Sequence, residues 1–477
     1  MKLFSLIKGL NCRVLGNQNI DISGLYHKDT EVKDGGLFFC LKGTMVDGKN
    51  FVFSAIKNGA VAVVTEQEIH GISHVTQIVV KNAREAMSKL ACKFFGNPAD
   101  KLKLIGVTGT NGKTTTTYML ASIIKNSGKK VAVVGTNGIL VKGTKIKTNM
   151  TTPDPIELQK YFAYMVKNHV EYVCIEVSAH AAALNKIDGL MFEVMIFTNL
   201  TEDHLDFFKT MDKYFEAKQK LFLPKYSKFA VLNASDEFFS RLVASINIPF
   251  VTYSNNDESD FFAEVKSIKN GRQDILVNGK YNLSLPMLGG FNVLNALAAM
   301  SALSVLNFSA ENIISGLENM NQVEGRFNSY VVDDKVVIID YAHTPDGLQN
   351  ILTSAREIAK ENKLICVFGC GGNRDSQKRP IMGEIASKIS DYVIISTDNP
   401  RFENAEKIAK DIAVGIKNNN YEIELDRSQA IKKAVAKATI NDVVVLAGKG
   451  AEDYIEENGV KIPYSDILEI EKLRRNL

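Results

Sequence analysis

A glycine-rich segment ending in Lys-Thr is the part of this chain whose residue types point most clearly to chemistry. Residues 106–117 read Gly-Val-Thr-Gly-Thr-Asn-Gly-Lys-Thr-Thr-Thr-Thr, between an apolar strand-like run and a helix-compatible run. Such a turn aims free backbone N–H groups and the helix dipole at an anion. Lys113 adds positive charge for the β- and γ-phosphates, and the Thr114 hydroxyl can ligate Mg²⁺. The spacing is a variant, with Val107 at the usual first glycine, and it predicts a nucleoside triphosphate site. The alternative is a turn that only joins strand to helix.

Further polar residues follow apolar runs in the next two hundred residues. Glu176 ends one run, where a carboxylate can hold Mg²⁺ or simply cap a strand end. His204 lies in Asn-Leu-Thr-Glu-Asp-His, and from the residues alone it equally fits a satisfied interior histidine. Lys218, in Ala-Lys-Gln-Lys-Leu, reads as an ordinary lysine on a helix surface. The amide of Asn292 could read a purine edge or cap a helix.

The last third of the chain carries four polar clusters, each directly after an apolar strand-like run. They are Asp-Tyr-Ala-His at 340–343, Gly-Cys-Gly-Gly-Asn-Arg at 369–374, Asp-Asn-Pro-Arg at 398–401 and Gly-Lys-Gly-Ala-Glu at 448–452. Ligands of doubly wound sheets bind at the carboxyl ends of the strands. We therefore expect a ligand site there, although Asp-Asn-Pro-Arg alone equally fits a turn.

The elements that must position these residues fall into three blocks. Apolar runs alternating with helical segments in the second and third blocks predict mainly parallel sheets covered on both faces. The predicted fold class is α/β: a small N-terminal α/β domain, a central P-loop domain with a mainly parallel sheet, and a C-terminal Rossmann-like doubly wound domain. The predicted domain boundaries are 1–97, 98–325 and 326–477.

Composition limits the classes of function. The 477 residues are 45% hydrophobic and 23% charged, with a net charge of +3 that is too slight to indicate a nucleic-acid partner. No apolar run reaches the roughly 18–20 residues that span a bilayer, so we expect no membrane insertion. The six cysteines form no C-x-x-C pair, which indicates a reduced, cytoplasmic protein. We expect a monomer.

Taken together, the phosphate loop, the Ala-Lys-x-x-Leu segment around Lys218 and the motif at 398–401 resemble the Mur ligases over essentially the whole chain. The resemblance implies an ATP-dependent ligase of peptidoglycan synthesis, with ATP as co-substrate and Mg²⁺ as cofactor. It implies that meso-2,6-diaminopimelate is joined to UDP-N-acetylmuramoyl-L-alanyl-D-glutamate through an acyl phosphate. The N-terminal domain would then bind the UDP-sugar and the C-terminal domain the amino acid.

The resemblance also implies roles for individual residues. Catalysis would involve Lys113, Glu176, His204 and Lys218. The metal ligands would be Thr114, Glu176, His204 and a carbamylated Lys218. ATP would contact Gly109, Thr110, Asn111, Gly112, Lys113, Thr114, Thr115, Asn292, Asn295, Arg326, Asp340 and His343. The UDP-linked substrate would contact Asp29, Thr151, Thr152, Ser178 and Lys186. Diaminopimelate would contact Arg374, Asp398, Asn399, Pro400, Arg401, Gly448 and Glu452.

Three positions depart from the pattern of the family. Lys186 stands where the family usually has arginine, which keeps the charge and loses the bidentate fork. Lys-Asp-Thr at 28–30 replaces a frequent Asp-Ser-Arg, and Ala451 replaces a common histidine.

The choice of amino acid depends on Arg401. Diaminopimelate differs from L-lysine by one carboxylate, which arginine can bind with two hydrogen bonds. The alternatives are the same ligase acting on L-lysine or another diamino acid, a folylpolyglutamate-synthetase-like ligase, and a non-enzymatic nucleotide switch.

Overall fold

The computed structural model describes residues 1–43, 46–148, 150–269 and 271–475. Three separate sheets follow one another along the chain, and helices cover both faces of the second and third. The predicted α/β class, with mainly parallel sheets, is confirmed. The predicted boundaries at 97/98 and 325/326 fall between the strands of successive sheets and stay predictions.

The first sheet has five strands in the order β1-β5-β4-β3-β2, parallel except for β1 against β5. Its strands are β1 (Cys12–Leu15), β2 (Gly24–Tyr26), β3 (Gly36–Phe39), β4 (Ala60–Thr65) and β5 (Thr76–Val80). Its helices are α1 (Leu3–Ile7), α2 (Val52–Lys57) and α3 (Ala83–Phe94). The side chain of Asn82 caps α3 by accepting hydrogen bonds from two backbone amides in its first turn. Helix α3 packs its apolar face against the sheet, as its spacing predicts.

The central sheet has eleven strands, in the order β16-β15-β14-β13-β12-β11-β6-β10-β7-β8-β9. The strands are β6 (Lys103–Thr108), β7 (Val131–Gly135), β8 (Gly138–Val141), β9 (Thr144–Ile146), β10 (Tyr172–Glu176), β11 (Phe192–Phe197), β12 (Ala230–Asn233), β13 (Phe250–Ser254), β14 (Phe261–Lys269), β15 (Arg272–Val277) and β16 (Tyr281–Leu285). The helices are α4 (Lys113–Asn126), α5 (Pro155–Lys167), α6 (Ala179–Ala183), α7 (Leu205–Phe208), α8 (Met211–Gln219), α9 (Phe239–Val243), α10 (Gly290–Val305) and α11 (Ala310–Glu318).

The parallel part of this sheet runs from β14 to β7. Helices α4, α10 and α11 cover one face, and α5, α6 and α8 contribute to the core on the other. Antiparallel pairing begins beyond it, with β8 and β9 after β7 at one edge and β15 and β16 after β14 at the other. Strands β8, β9 and β14 to β16 were not predicted. Strand β6 lies in the middle, so the loop after it opens at the centre of the sheet.

The third sheet has six strands in the order β17-β18-β22-β19-β20-β21, parallel except for β17. Its strands are β17 (Asn328–Val332), β18 (Lys335–Asp340), β19 (Leu364–Phe368), β20 (Tyr392–Ile395), β21 (Tyr421–Ile423) and β22 (Val443–Ala447), followed by the hairpin β23 (Tyr454–Glu457) and β24 (Val460–Pro463). Its helices are α12 (Pro345–Ala359), α13 (Lys378–Ile389), α14 (Ala405–Ala413), α15 (Arg427–Lys437) and α16 (Asp466–Arg475). All four predicted polar clusters lie at the carboxyl ends of its parallel strands.

All six cysteines lie in the described part of the chain and are free thiols. Five are buried, and Cys12 on β1 is half-buried. Burial raises the pKa of each thiol, so these side chains behave as small apolar residues. Among the described helices, none combines the length and apolarity needed to cross a bilayer.

Candidate active site

A cavity opens at the carboxyl end of β6, between the central and C-terminal sheets. Its walls come from both, because residues of α4 and α10 face residues that follow β18 and begin α12. The predicted site residues that line it are Gly109, Thr110, Asn111, Gly112, Lys113, Thr114, Thr115, Thr151, Glu176, Ser178, His204, Lys218, Asn295, Arg326, Asp340 and His343.

The loop between β6 and α4 needs glycine at two positions for different reasons. Gly112 has φ of +85° and directly precedes α4, and a Cβ there would lie 2.4 Å from Asn295 Oδ1. A Cβ on Gly109 would lie 1.8 Å from Thr198 Oγ1. Both positions therefore exclude larger residues. The loop packs closely against α10 and the end of β11, and α4 begins directly after it.

Lys113 folds back over the loop that precedes it. Its Nζ donates hydrogen bonds to the carbonyl oxygens of Gly109, at 2.8 Å, and Thr110, at 2.7 Å. Burial lowers the pKa of Lys113, while the negative charges of Glu176 and Asp203 oppose that change. A polyphosphate in the cavity would supply the anionic partner that suits this ammonium.

Thr114 and Glu176 form a small oxygen cluster at the base of the cavity. The Thr114 hydroxyl donates to Glu176 Oε1 at 2.9 Å, and the Thr136 backbone amide donates to the same oxygen at 2.9 Å. The Thr136 hydroxyl donates to Glu176 Oε2 at 3.1 Å. Hydroxyl and carboxylate oxygens are the ligands that Mg²⁺ prefers. Within the described residues, no group of three or more His, Cys, Asp or Glu side chains is placed to hold a metal ion. A metal here would therefore share these oxygens with phosphate oxygens and water.

Lys218 is buried in α8, with 2% of its surface exposed, so the reading as a surface lysine is wrong. Its Nζ lies 4.6 Å from the centre of the Tyr214 ring. Burial, followed by the positive charge of Lys113, holds the pKa of Lys218 well below its ordinary value. A lysine in such surroundings can lose its proton and act as a nucleophile.

His204 joins a second histidine around a buried carboxylate. Its Nε2 lies 3.4 Å from Asp203 Oδ2, and His343 Nε2 lies 3.9 Å from the same oxygen. Burial lowers the pKa of both histidines, with Asp203 opposing the change. Burial acts to raise the pKa of Asp203, but the two histidines and Lys378 together hold it below its usual range. The site thus pairs an anionic carboxylate with neutral imidazoles.

The two predicted asparagines of α10 occupy different positions. Asn295 lines the cavity, and its Oδ1 accepts a hydrogen bond from the Thr116 hydroxyl at 3.3 Å. Asn292 lies behind it, donating to Leu288 O at 2.8 Å and accepting from Asn295 Nδ2 at 3.1 Å. Gly289 is the residue that precedes the helix, so the alternative that Asn292 caps it is wrong.

Residues of the C-terminal block reach across the cavity to the phosphate loop. Arg326 Nη2 donates to Thr114 Oγ1 at 3.0 Å, and Asp346 Oδ2 accepts from Asn111 Nδ2 at 2.7 Å. Asp340 uses both oxygens to accept from the backbone amides of Phe327, at 2.8 Å, and Ala342, at 2.7 Å. Asp340 therefore stabilises the two segments that carry Arg326 and His343.

The residues predicted to bind an amino acid meet at the ends of β20 and β22. Asn399 Nδ2 donates to Glu452 Oε2 at 2.9 Å. A Cβ on Gly448, where φ is +107°, would lie 3.5 Å from Asp398 Oδ2. Arg401 Nη1 donates to Gly372 O at 2.8 Å, and its Nε lies 3.3 Å from Glu456 Oε2.

Arg374 and Pro400, which were also predicted to bind the amino acid, lie at the edges of this cluster. Arg374 Nη1 lies 3.7 Å from Asp206 Oδ2, a residue of α7 in the central block. The carbonyl oxygen of Pro400 lies 1.9 Å from where a Cβ on Gly372 would be, so these two loops pack tightly. The Tyr341 hydroxyl, from the wall of the cavity around Lys113, lies 3.5 Å from Glu452 Oε1. The two sites are therefore adjacent.

A third group of predicted residues lies beside Glu176. The Thr152 hydroxyl donates to Glu176 O at 2.8 Å and to Ser178 Oγ at 3.3 Å. Lys186 Nζ lies 2.9 Å from Asp154 Oδ1, and His27 Nε2 of the first block lies 3.6 Å from Asp154 Oδ2. Asp29 lies nearby in sequence in the short turn Asp29–Glu31, where its carbonyl oxygen accepts from Asn58 Nδ2 at 3.0 Å.

Several residues at the site were not singled out from the sequence. Asp203 and Lys449 lie in segments that were noted for other residues. Only the structure shows that both side chains are buried. Asp154 precedes Pro155 and reads as an ordinary residue before a helix. Tyr341 carried no signal beyond its place between Asp340 and His343.

Three profiles match successive parts of the chain. Residues 21–95 match the profile described as "Mur ligase family, catalytic domain". Residues 107–303 match "Mur ligase middle domain", and residues 325–450 match "Mur ligase, glutamate ligase domain".

Curated relatives match over nearly the full length. The UDP-N-acetylmuramoyl-L-alanyl-D-glutamate–2,6-diaminopimelate ligase 1 of Clostridium acetobutylicum is 42% identical over 461 residues, covering 95% of each chain. The ligase of the same name from Clostridioides difficile is 42% identical over 476 residues, covering 98% of each.

Solved structures share the fold. A UDP-N-acetylmuramoyl-L-alanyl-D-glutamate–2,6-diaminopimelate ligase aligns over 99% of each chain with a TM-score of 0.69 and 29% identity. MurF from Thermotoga maritima, solved in complex with ADP, aligns over 90% of this chain and 94% of its own, with a TM-score of 0.64 and 20% identity. Folylpolyglutamate synthase from Mycobacterium tuberculosis covers 76% of this chain and 92% of its own, with a TM-score of 0.63 and 16% identity. The last two likenesses concern the fold alone.

Proposed function

The chain belongs to the Mur ligase family of ATP-dependent ligases, and we propose that it joins meso-2,6-diaminopimelate to UDP-N-acetylmuramoyl-L-alanyl-D-glutamate in peptidoglycan synthesis. The observation that carries the proposal is the contact between two sites. The cavity around Lys113 and the cluster around Arg401 and Glu452 meet at Tyr341. A carboxyl group activated at the first site can thus meet an amine held at the second.

The reaction divides into two steps. An oxygen of the γ-carboxylate of the D-glutamyl residue attacks the γ-phosphorus of ATP. The bond between that phosphorus and the β,γ-bridging oxygen breaks, which releases ADP. The neutral amine of diaminopimelate then attacks the acyl phosphate, and the tetrahedral intermediate loses phosphate and a proton to leave an amide. Lys113 and the loop N–H groups oppose the charge on the phosphoryl group, which is mainly electrostatic work.

Mg²⁺ belongs to the proposal because the donor atoms suit it. Thr114 and Glu176 would hold one ion, and His204 together with a carbamylated Lys218 would hold a second. When bound, Mg²⁺ neutralises phosphate charge and orients the oxygens that react.

The lowered pKa and the burial of the Lys218 amine support the proposed carbamate. A neutral amine attacks CO₂, a C–N bond forms, one proton leaves, and the product is an anionic oxygen ligand. Lys113 supplies the nearby positive charge, since it is the second cause of the lowered pKa of Lys218. The carbamate would thus replace an unfavourable buried cation with an anion facing cations.

The substrates occupy opposite sides of the cavity in this proposal. Thr151, Thr152, Ser178 and Lys186, with Asp29 from the N-terminal block, would hold the UDP-linked dipeptide. The guanidinium of Arg401 would bind the distal carboxylate of diaminopimelate, and Glu452 the distal ammonium. Arg374, Asp398, Asn399, Pro400 and Gly448 would shape the rest of that pocket. We also propose that the protein acts as a monomer in the cytoplasm, since one chain supplies every group named above.

The test is ATP consumption with the UDP-linked dipeptide and each amino acid in turn. Turnover is expected with meso-diaminopimelate and is expected to be much weaker with L-lysine. Turnover with L-lysine but not with diaminopimelate would overturn the substrate assignment. ATP hydrolysis that ignores every amine would favour a nucleotide switch, and activity with a folate and glutamate would favour the folylpolyglutamate reaction.

A variant of Arg401 separates the two amino acids. Arg401→Ala is expected to raise KM for diaminopimelate at least tenfold, because a carboxylate loses its charged partner. KM for L-lysine is expected to change by less than threefold. Equal losses for both amino acids would contradict the role of Arg401 as the carboxylate ligand.

A further inference from the structure

The ammonium of Lys449 is completely buried between the two loops of the amino-acid cluster. Its Nζ donates to Asp398 Oδ1 at 3.2 Å, to Asn399 Oδ1 at 3.1 Å and to Glu452 Oε2 at 2.9 Å. An ammonium has three N–H donors, and these three acceptors use all of them. No role in the reaction has been given to Lys449 so far.

The acceptors come from loops that the sheet does not hold side by side. Asp398 and Asn399 follow β20, whereas Glu452 follows β22, and β19 lies between those strands. Lys449 therefore connects the loop after β20 to the loop after β22, past the end of β19. Without its charge, the carboxylates of Asp398 and Glu452 would face one another with no cation between them, and they would repel.

The hydrogen bonds also orient Glu452. Oε2 receives Lys449 Nζ and Asn399 Nδ2, both at 2.9 Å, whereas Oε1 is approached by the Tyr341 hydroxyl at 3.5 Å. One oxygen is thus held by the protein, and the other is left for a cationic group of the substrate.

We propose that Lys449 is the positioning residue of the amino-acid site, which holds Glu452 so that Oε1 meets the distal ammonium of the diamino acid. This inference rests on the proposed function, because it needs Glu452 to contact the substrate. Replacing a buried ionic cluster by apolar side chains is often neutral for stability, so stability alone does not require a lysine here. Lys449 acts through Glu452, and the pair should behave as one unit.

The test combines Lys449→Met, Lys449→Arg, Glu452→Gln and the double variant Lys449→Met/Glu452→Gln. We expect Lys449→Met to raise KM for diaminopimelate 10- to 100-fold, the usual loss when a supporting partner is removed. KM for ATP and for the UDP-linked dipeptide should stay within twofold, and Lys449→Arg should recover part of the loss. The double variant should be no worse than Glu452→Gln alone, because coupled residues are not additive.

Lys461→Met is the matched control, since Lys461 is an exposed lysine on β24, and it should behave as the unchanged protein. Asn399→Leu removes the other donor to Glu452 Oε2, and it should give the same pattern of KM changes if Lys449→Met does not fold. The inference is overturned if KM rises equally for all three substrates, or if the double variant shows the product of the single effects. Absence of turnover with any amine in the unchanged protein would instead remove the proposed function.

Discussion

Lys218 is the residue whose surroundings differ most from what its sequence position indicates. A lysine in Tyr-Phe-Glu-Ala-Lys-Gln reads as a solvated helix position, and only the resemblance to the family gave it a role. The structure buries its amine over the Tyr214 ring, close enough to Lys113 for the two charges to repel. Long-range packing decides this burial, and no local pattern encodes it.

Removing the Lys218 amine tests its chemistry directly. Lys218→Ala is expected to lower kcat by about 100-fold or more, the scale seen when a charge-stabilising group is lost. Short carboxylates such as acetate should restore part of the activity, because they can supply the missing anionic oxygen. The measurement is kcat with and without acetate. Lys213→Ala, an exposed lysine of the same helix, should keep full activity, and unimpaired activity in Lys218→Ala would exclude the carbamate.

The same lysine has a predictable effect on stability. Its pKa is lowered in the folded protein, so the unfolded chain binds more protons between that lowered pKa and about 10.4. Stability therefore rises with pH through this window, and Lys218 destabilises the fold at neutral pH. In CO₂-free buffer, Lys218→Met should be more stable than the unchanged protein at pH 7, and the difference should shrink towards pH 10. Denaturant unfolding across this pH range measures it. A difference that grows with pH would contradict the burial argument.

At the scale of elements, the strand–loop–helix unit around Lys113 could be predicted because its signals are local. The apolar run predicted before the phosphate loop is β6, and the carboxyl ends of β18, β19, β20 and β22 carry the predicted clusters. The hairpin of β8 and β9 and the strands β14 to β16 escaped prediction. Their alternating, half-exposed residues resemble loops until a neighbouring strand pairs with them.

Helix α16 is held to the C-terminal sheet by a completely buried ion pair. Arg427 donates to Asp466 Oδ1 at 2.8 Å from Nε and to Oδ2 at 2.7 Å from Nη2. Its Nη2 also donates to Ala447 O at 3.0 Å, at the end of β22, just before the loop that carries Glu452. Arg427 thus connects the start of α16 to the end of β22.

Breaking this pair should be costly. Asp466→Ala leaves the Arg427 guanidinium buried with one partner missing, and such losses typically cost about 3–5 kcal/mol in the free energy of unfolding. Lys472→Ala, which removes an exposed lysine paired with Glu469 in the same helix, should cost no more than about 1 kcal/mol. Denaturant unfolding of both variants makes the comparison. Equal effects would mean that the buried pair contributes no more than a surface pair.

At the scale of the whole molecule, the cavity is shared by two blocks that the sequence could not bring together. Each block was predicted on its own, from its alternating strands and helices. The hydrogen bonds from Arg326 to Thr114 and from Asn111 to Asp346 join residues more than 200 positions apart. Such pairs depend on how the two sheets are set against each other, and periodicity carries no information about that.

We expect Arg326 to couple ATP binding to the contact between the central and C-terminal blocks. Arg326→Ala is expected to raise KM for ATP at least tenfold, because a cation beside the phosphate site is lost. ATP at 100 times its Kd should stabilise the unchanged protein by about 2.7 kcal/mol, and the same concentration should stabilise a variant with a tenfold higher Kd by only about 1.4 kcal/mol. Unfolding with and without ATP measures this. Lys147→Ala breaks an exposed ion pair to Asp453 between the same blocks and should leave the effect of ATP unchanged.

The burial of the cysteines has a practical consequence. Cys12 lies on β1, an edge strand of the first sheet, and is the half-buried thiol in a set whose other five members are buried, all within the described residues. A maleimide dye should therefore attach at this position first, without prior replacement of the other cysteines. The label would stand on the N-terminal block and leave the nucleotide cavity unmodified. Movement of that block during turnover could then be followed by fluorescence in the native sequence.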